Sequence, residues 1–218
     1  EFVASPTNAS GAIVRPTSAF YPKAFAQFFG VDGQPLNAPW RPVELGGRTS
    51  EPVTEQWNTV AGVKGTLAGW RYDAAFTYGE NLIDDRYTGG FVYGSAFLPL
   101  LSSGRVNYFA PNTPDVVDEM KATQVVGTVR TGKSSLAMVD LHAWNSLFDL
   151  PAGPVSLALG AEGRQWRLNE TSSEALAAGD IVQVGRTPSM SASRDVWAVF
   201  AEANAPLARN FEANLALR

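Results

Sequence analysis

The segment from Leu147 to Arg218 constrains the fold more than any other part of the chain. It opens with a short turn, Leu150-Pro-Ala-Gly-Pro154, and continues as an alternating strand, a polar loop over 168–193 and a second alternating strand over 196–207. A tight Ala208-Arg-Asn210 turn then leads into a third strand that reaches Arg218. Two-sided strands joined by short turns at one end and long loops at the other are how a transmembrane β-barrel wall is written in sequence. The expected fold class is therefore all-β: antiparallel transmembrane β-barrel strands, about seven of them, forming part of a larger barrel.

The same rhythm extends upstream. Trp70, Tyr72, Ala74, Phe76 and Tyr78 share one face of a period-two segment, and Arg71, Asp73, Ala75, Thr77 and Gly79 share the other. Ten residues of such alternation are a strand signal and match the length a tilted strand needs to cross a bilayer. Arg41 to Arg48 and Glu55 to Leu67 read as two further strands, the second closed by a Leu67-Ala-Gly69 turn. Ser134 to Leu150 reads as another, with Ala137, Val139, Leu141 and Ala143 opposed to Met138, Asp140, His142 and Trp144. In four of these strands the opposed face carries charges: Arg71 and Asp73, Asp140, Glu162 and Arg164, Glu212. A watery or plugged lumen accommodates them and lipid does not.

Between the strands lie segments of loop composition. Residues 1–37 read as a loop segment, and 38–218 as the barrel segment, with long extracellular loops near 82–131 and 168–193. The run Tyr87 to Gly104 is uncharged, but Gly89, Gly90, Gly94 and Pro99 are expected to break a helix there. A helix start is expected at Thr113 as N-cap with Pro114 in the first turn. The chain opens on Glu-Phe, without Met or a leader-like segment, and ends inside a strand pattern; it is expected to be a piece of a longer protein.

Composition fits a surface that partly faces lipid and equally a sandwich-like soluble β-protein, and it removes other classes. Charged residues make up 17 %, against about 25 % in soluble domains. Seventeen basic and 21 acidic residues leave a net charge of −4, so no basic excess exists to hold nucleic acid. Without cysteine there are no disulfides and no thiolate metal sites.

The best-matching residues, Phe148-Asp-Leu-Pro-Ala-Gly-Pro-Val-Ser-Leu-Ala-Leu-Gly-Ala-Glu-Gly-Arg164, Ser193 to Leu207 and Leu215-Ala-Leu-Arg218, resemble the barrel of TonB-dependent outer-membrane receptors. A looser match covers Arg41 to Arg48, Val60 to Leu67 and Trp70 to Asn81. Gly163 stands where an aromatic is usual and Ala203 where an aliphatic is usual. The resemblance implies a non-enzymatic role, without a cofactor, in energy-dependent uptake across the outer membrane of a Gram-negative bacterium. The implied cargo is a ferric siderophore, haem, cobalamin or an oligosaccharide. The implied partners are that cargo, outer-membrane lipid and, through a plug not identifiable here, the inner-membrane TonB energy transducer. The alternative is a soluble β-rich binding module built from the same strands.

A third reading rests on Gly127-Thr-Val-Arg-Thr-Gly-Lys-Ser134, which fits a phosphate-cradling loop with Lys133 on the phosphates and Ser134 on Mg²⁺. It requires a helix from Lys133 onward, whereas the following residues alternate at period two; a helical face of Leu136, Val139, Ala143 and Leu147 is the competing pattern. His142 is the only histidine, and a hydrolytic reading would join it to Asp140 or Asp149 and one of many serines. No nucleophile elbow is present. Asp115, Asp118 and Glu119 would bind a cation or, more simply, stabilise a helix N-terminus. Asp84-Asp85 reads as a solvated loop pair, and Asn8 and Asn169 head glycosylation sequons. Trp70, Tyr72, Tyr78 and Trp197 are expected as interface girdles or as a sandwich core. Tyr21, Phe25, Phe28 and Phe29 would touch cargo or pack their own loop.

Overall fold

The computed structural model of the chain describes residues 2–9 and 12–218. Ser10, which completes the Asn8 sequon, lies outside them. Seven strands form one open, mostly antiparallel sheet in the order β1 (Phe2–Ala4), β4 (Arg48–Leu67), β5 (Trp70–Gly89), β6 (Gly127–Leu150), β7 (Gly153–Ser172), β8 (Met190–Ala208) and β9 (Phe211–Leu217). The two-residue strands β2 (Ile13–Val14) and β3 (Leu36–Asn37) pair separately. Short turns join β4 to β5, β6 to β7 and β8 to β9. The first uses Ala68 (φ 51°) and Gly69 (φ 86°), two positive values that match the right-handed twist of the flanking strands.

Among the described residues the main sheet has seven strands, but not the seven anticipated. Arg41 to Arg48 is not a strand, because Val43–Leu45 form a single 3₁₀ turn and pairing begins at Arg48. Its place in the sheet is taken by β1, which covers only Arg48 to Ser50 of β4. The long strands also run about twice the length needed to cross a bilayer. Their ends place the two long connections at 90–126 and 173–189.

These connections carry helices. Besides α1 (Lys23–Phe28), there are α2 (Gly94–Ser102), α3 (Pro114–Ala122) and α4 (Glu174–Ala178). The start of α3 is as expected, with Thr113 as N-cap and Pro114 at N1. The expected break over Tyr87 to Gly104 is overturned by α2. Its first-turn donors are satisfied from far along the chain: Gly94 N donates to the Asp180 carbonyl (2.7 Å), and Ser95 N and Oγ donate to the Asp180 carboxylate (2.7 and 2.6 Å). Phe97 and Leu101, one turn apart and both buried, anchor the helix. Pro99 is tolerated inside it.

The chain divides into two compact units, unit 1 comprising Glu1–Thr54, Ile83–Thr131 and Glu170–Ser189, and unit 2 comprising Glu55–Leu82, Gly132–Asn169 and Met190–Arg218. Among the described residues, every buried apolar side chain except Val155 belongs to unit 1. Its larger core gathers Val14, Leu45, Val92, Phe97, Val106, Val116 and Met120. A second cluster joins Val125, Val129, Leu176 and Ile181, flanked by the stacked rings of Tyr87 and Phe91, 3.8 Å apart. Gly90 (φ 73°) lies against the Gly47 backbone, where any Cβ would collide.

Unit 2 has no such core. Its strands sort by contact into two faces. On the first, Trp57 meets Tyr78 (5.3 Å between rings) and Gln165 donates to Asp195 (2.9 Å). Strand alternation puts Val63, Leu67, Phe76, Val139, Leu141, Leu159, Trp197, Val199, Leu215 and Leu217 on this face, all of them exposed. On the second, Phe200 covers Gly160 and lies 5.6 Å from His142, while Asn204 donates to Asn214 (2.6 Å). Alternation adds Asp73, Asp140, Glu162, Arg164 and Glu212 to that face.

Candidate functional site

The polar face of unit 2 carries a groove of about 550 Å³ lined by side chains from all its long strands, among them Gln56, Asn58, Thr77, Asn81, Ser134 and Arg194. Trp166 forms one wall. The guanidinium groups of Arg164 and Arg194 lie 5.6 and 5.8 Å from its ring centre, an arrangement that holds both cations by the ring quadrupole. Glu162 binds Arg164 and fixes one of them. The groove lining therefore offers a flat aromatic surface, the Arg167 and Arg194 guanidinium groups, three amides, four hydroxyls and the Glu80 carboxylate. Stacking and directional hydrogen bonds of this kind suit a polar, oxygen-rich or carboxylate-bearing ligand.

The structure distributes the sequence candidates unevenly. Gly127 to Ser134 is the beginning of β6, so no helix N-terminus follows Lys133 and the phosphate-cradling geometry is absent. Lys133 is instead held by Glu80 at 2.8 Å. Asp140 and His142 do come together, joined by Asp73 of β5, with their ligand atoms all within 4.8 Å of one another. Asp149, of opposite parity on β6, falls on the other face.

The acidic residues of α3 are occupied by the protein's own cations. Arg105 donates to both Glu119 oxygens (2.7 and 2.8 Å) and to Asp115 (3.1 Å), and Lys121 lies 3.9 Å from Asp118. The Thr113 hydroxyl, aided by the residue's own backbone N–H and by Arg105, outweighs burial and holds the Asp115 carboxyl below its ordinary value. Asp84 and Asp85 lie in β5 and not in a loop; they pair with Arg86 (2.5 Å) and Arg130 (3.4 Å). Burial pushes Glu44 up, but hydrogen bonds from the Asn112 side chain and backbone outweigh it and leave the carboxyl below its ordinary value. Burial alone raises Tyr108, whose hydroxyl donates to the Leu101 carbonyl (2.7 Å).

Among the aromatic candidates, Trp70, Tyr72, Tyr78 and Trp197 all fall on the apolar face of unit 2 by alternation. Tyr21 packs against the unit 1 core and donates to the Val31 and Gln34 carbonyls. Phe25, Phe28 and Phe29 remain exposed and touch one another. Asn169 lies within β7. Trp166, Arg194 and Asn58 were not singled out from sequence; strand parity, which sets them on the charged face, was the available signal.

No protein-family model and no curated protein matches this chain.

Proposed function

We propose that this chain forms part of the barrel wall of a TonB-dependent outer-membrane transporter, and that its polar face lines the path of a siderophore, haem, cobalamin or oligosaccharide. The observation that carries this reading is the exposed apolar face of unit 2. A soluble sandwich would need a second layer over Phe76, Leu141, Trp197 and Val199, and no described element buries them. Lipid is a solvent in which such a face is stable, and the alternating charges then face an aqueous lumen. Trp57, Trp70, Tyr72 and Tyr78 suit the membrane interfaces. The two end strands, β9 and most of β4, are open to pairing with further strands, as a partial barrel requires. In this reading the Trp166 groove is where cargo is first held.

The test is light scattering and circular dichroism of the purified chain with and without detergent. A requirement for detergent or lipid to stay dispersed with strand signal supports the proposal. A dispersed, strand-rich monomer in plain buffer refutes it and returns the chain to the soluble binding modules.

A further inference from the structure

We infer that Asp73, Asp140 and His142 form a binding site for a divalent transition-metal ion on the polar face of unit 2. The site needs only the pairing of β5 with β6, whatever solvent faces the opposite side. Asp140 and His142 stand two residues apart on β6, so their side chains project in parallel from one face; Asp73 projects beside them from the neighbouring strand, about 4.8 Å away in the pairing direction. Three ligands set as a triangle on a flat support leave the remaining coordination positions open. One imidazole nitrogen and two carboxylate oxygens are a donor set for Zn²⁺ and its first-row neighbours, in contrast to the all-oxygen shells of Ca²⁺.

The distances and the electrostatics agree with this assignment. The ligand atoms lie within 4.8 Å of one another, and ligands around a four- or six-coordinate ion at about 2.1 Å stand about 3.0–3.5 Å apart. Small side-chain rotations close that gap without moving either strand. The two carboxylates are also uncompensated. Glu80 is held by Lys133 and Glu162 by Arg164, whereas among the described residues neither Asp73 nor Asp140 has a cationic partner within 4 Å. A cation between them removes the repulsion of two like charges on one face. His142 is exposed, so an ion reaches the site from solvent, and Phe200 flanks the imidazole at 5.6 Å.

The experiment is calorimetric titration of Zn²⁺ into the untagged, metal-free full chain in detergent, with Cu²⁺ electron paramagnetic resonance alongside. One saturable Zn²⁺ site per chain is expected. His142→Ala and Asp73→Asn should each weaken binding about tenfold or more; Asp149→Asn, on the other face of the same strand, should leave it unchanged. Because His142 is the only histidine, the wild-type Cu²⁺ spectrum should show coupling to a single imidazole nitrogen, with no variant needed, and His142→Ala should abolish it. Absence of saturable Zn²⁺ binding overturns the assignment. So does binding that survives either ligand substitution, or a Cu²⁺ spectrum without nitrogen coupling.

Discussion

Leu141→Arg is the sharpest single test of the apolar face. Leu141 is 46 % exposed between Val139 and Leu147, which are likewise exposed. On the opposite face its neighbours Asp140 and His142 lie beside Asp73 of β5. In β5 the apolar stripe runs from Trp70 to Tyr78, and Asp73 lies near its middle. Leu141 therefore sits near the middle of the band that would face lipid. An arginine at the bilayer midplane of a barrel wall costs about 2–4 kcal/mol, a loss of ~30-fold to ~900-fold in the folding equilibrium at about 1.36 kcal/mol per tenfold. Met138→Arg, on the polar face beside Asp140, should cost little. Ser135→Arg, near the Glu80–Lys133 pair at the end of the band, should cost about 0–1 kcal/mol. The assay is urea unfolding of the chain refolded into lipid vesicles, read by tryptophan fluorescence. Equal costs at Leu141, Met138 and Ser135 would refute both the face assignment and the depth argument.

Three further outcomes concern unit 1. Phe97→Ala, at a fully buried site in its larger core, should cost about 3–5 kcal/mol, seen as an earlier loss of near-ultraviolet dichroism in urea. Asp180→Ala removes both acceptors of Ser95 and should cost about 1–2 kcal/mol, with faster amide exchange across Gly94 to Leu98. Glu44 has its carboxyl held below 4.5 in the fold. Its contribution is therefore present above that value and lost as pH falls through the lower, folded value. Thermal melts stepped downward from about pH 6 should show unit 1 weakening below pH 4.5, and Glu44→Gln, which keeps an acceptor for Asn112, should flatten that part of the profile.

The period-two segments at Trp70, Ser134, Val155, Val196 and Phe211 are strands in the structure because alternation is a local property that each segment declares on its own. Six of the seven strands of the open sheet were legible in this way, and β1, within a segment of loop composition, was not. Helix α2 was not, since its cap comes from Asp180, 85 residues away, and its anchors Phe97 and Leu101 point into a core assembled from distant segments. Arg41 to Arg48 misled in the opposite sense, because Pro42 and the two glycines at 46–47 turn the chain before a strand can start. The candidate site was not legible as a site. In sequence Asp140 and His142 are joined only by a hydrolytic reading that leaves Asp149 equally open, and the arrival of Asp73 from β5, like the placing of Trp166 between two arginines, depends on register between strands, which no single segment encodes.

The concentration of buried apolar side chains in unit 1 has a thermodynamic consequence. Unit 1 carries its own driving force for burial and should unfold in response to denaturant and temperature, with Trp40 and Tyr108, in edge-to-face contact at 5.3 Å, as reporters. Unit 2 has almost no interior to lose, so the free energy of its strands is set by what surrounds them, and Trp197, 80 % exposed, should respond to detergent or lipid before it responds to heat. Such a chain has no single melting temperature. Each half keeps its own, and for the strand half that temperature belongs to the medium as much as to the polypeptide.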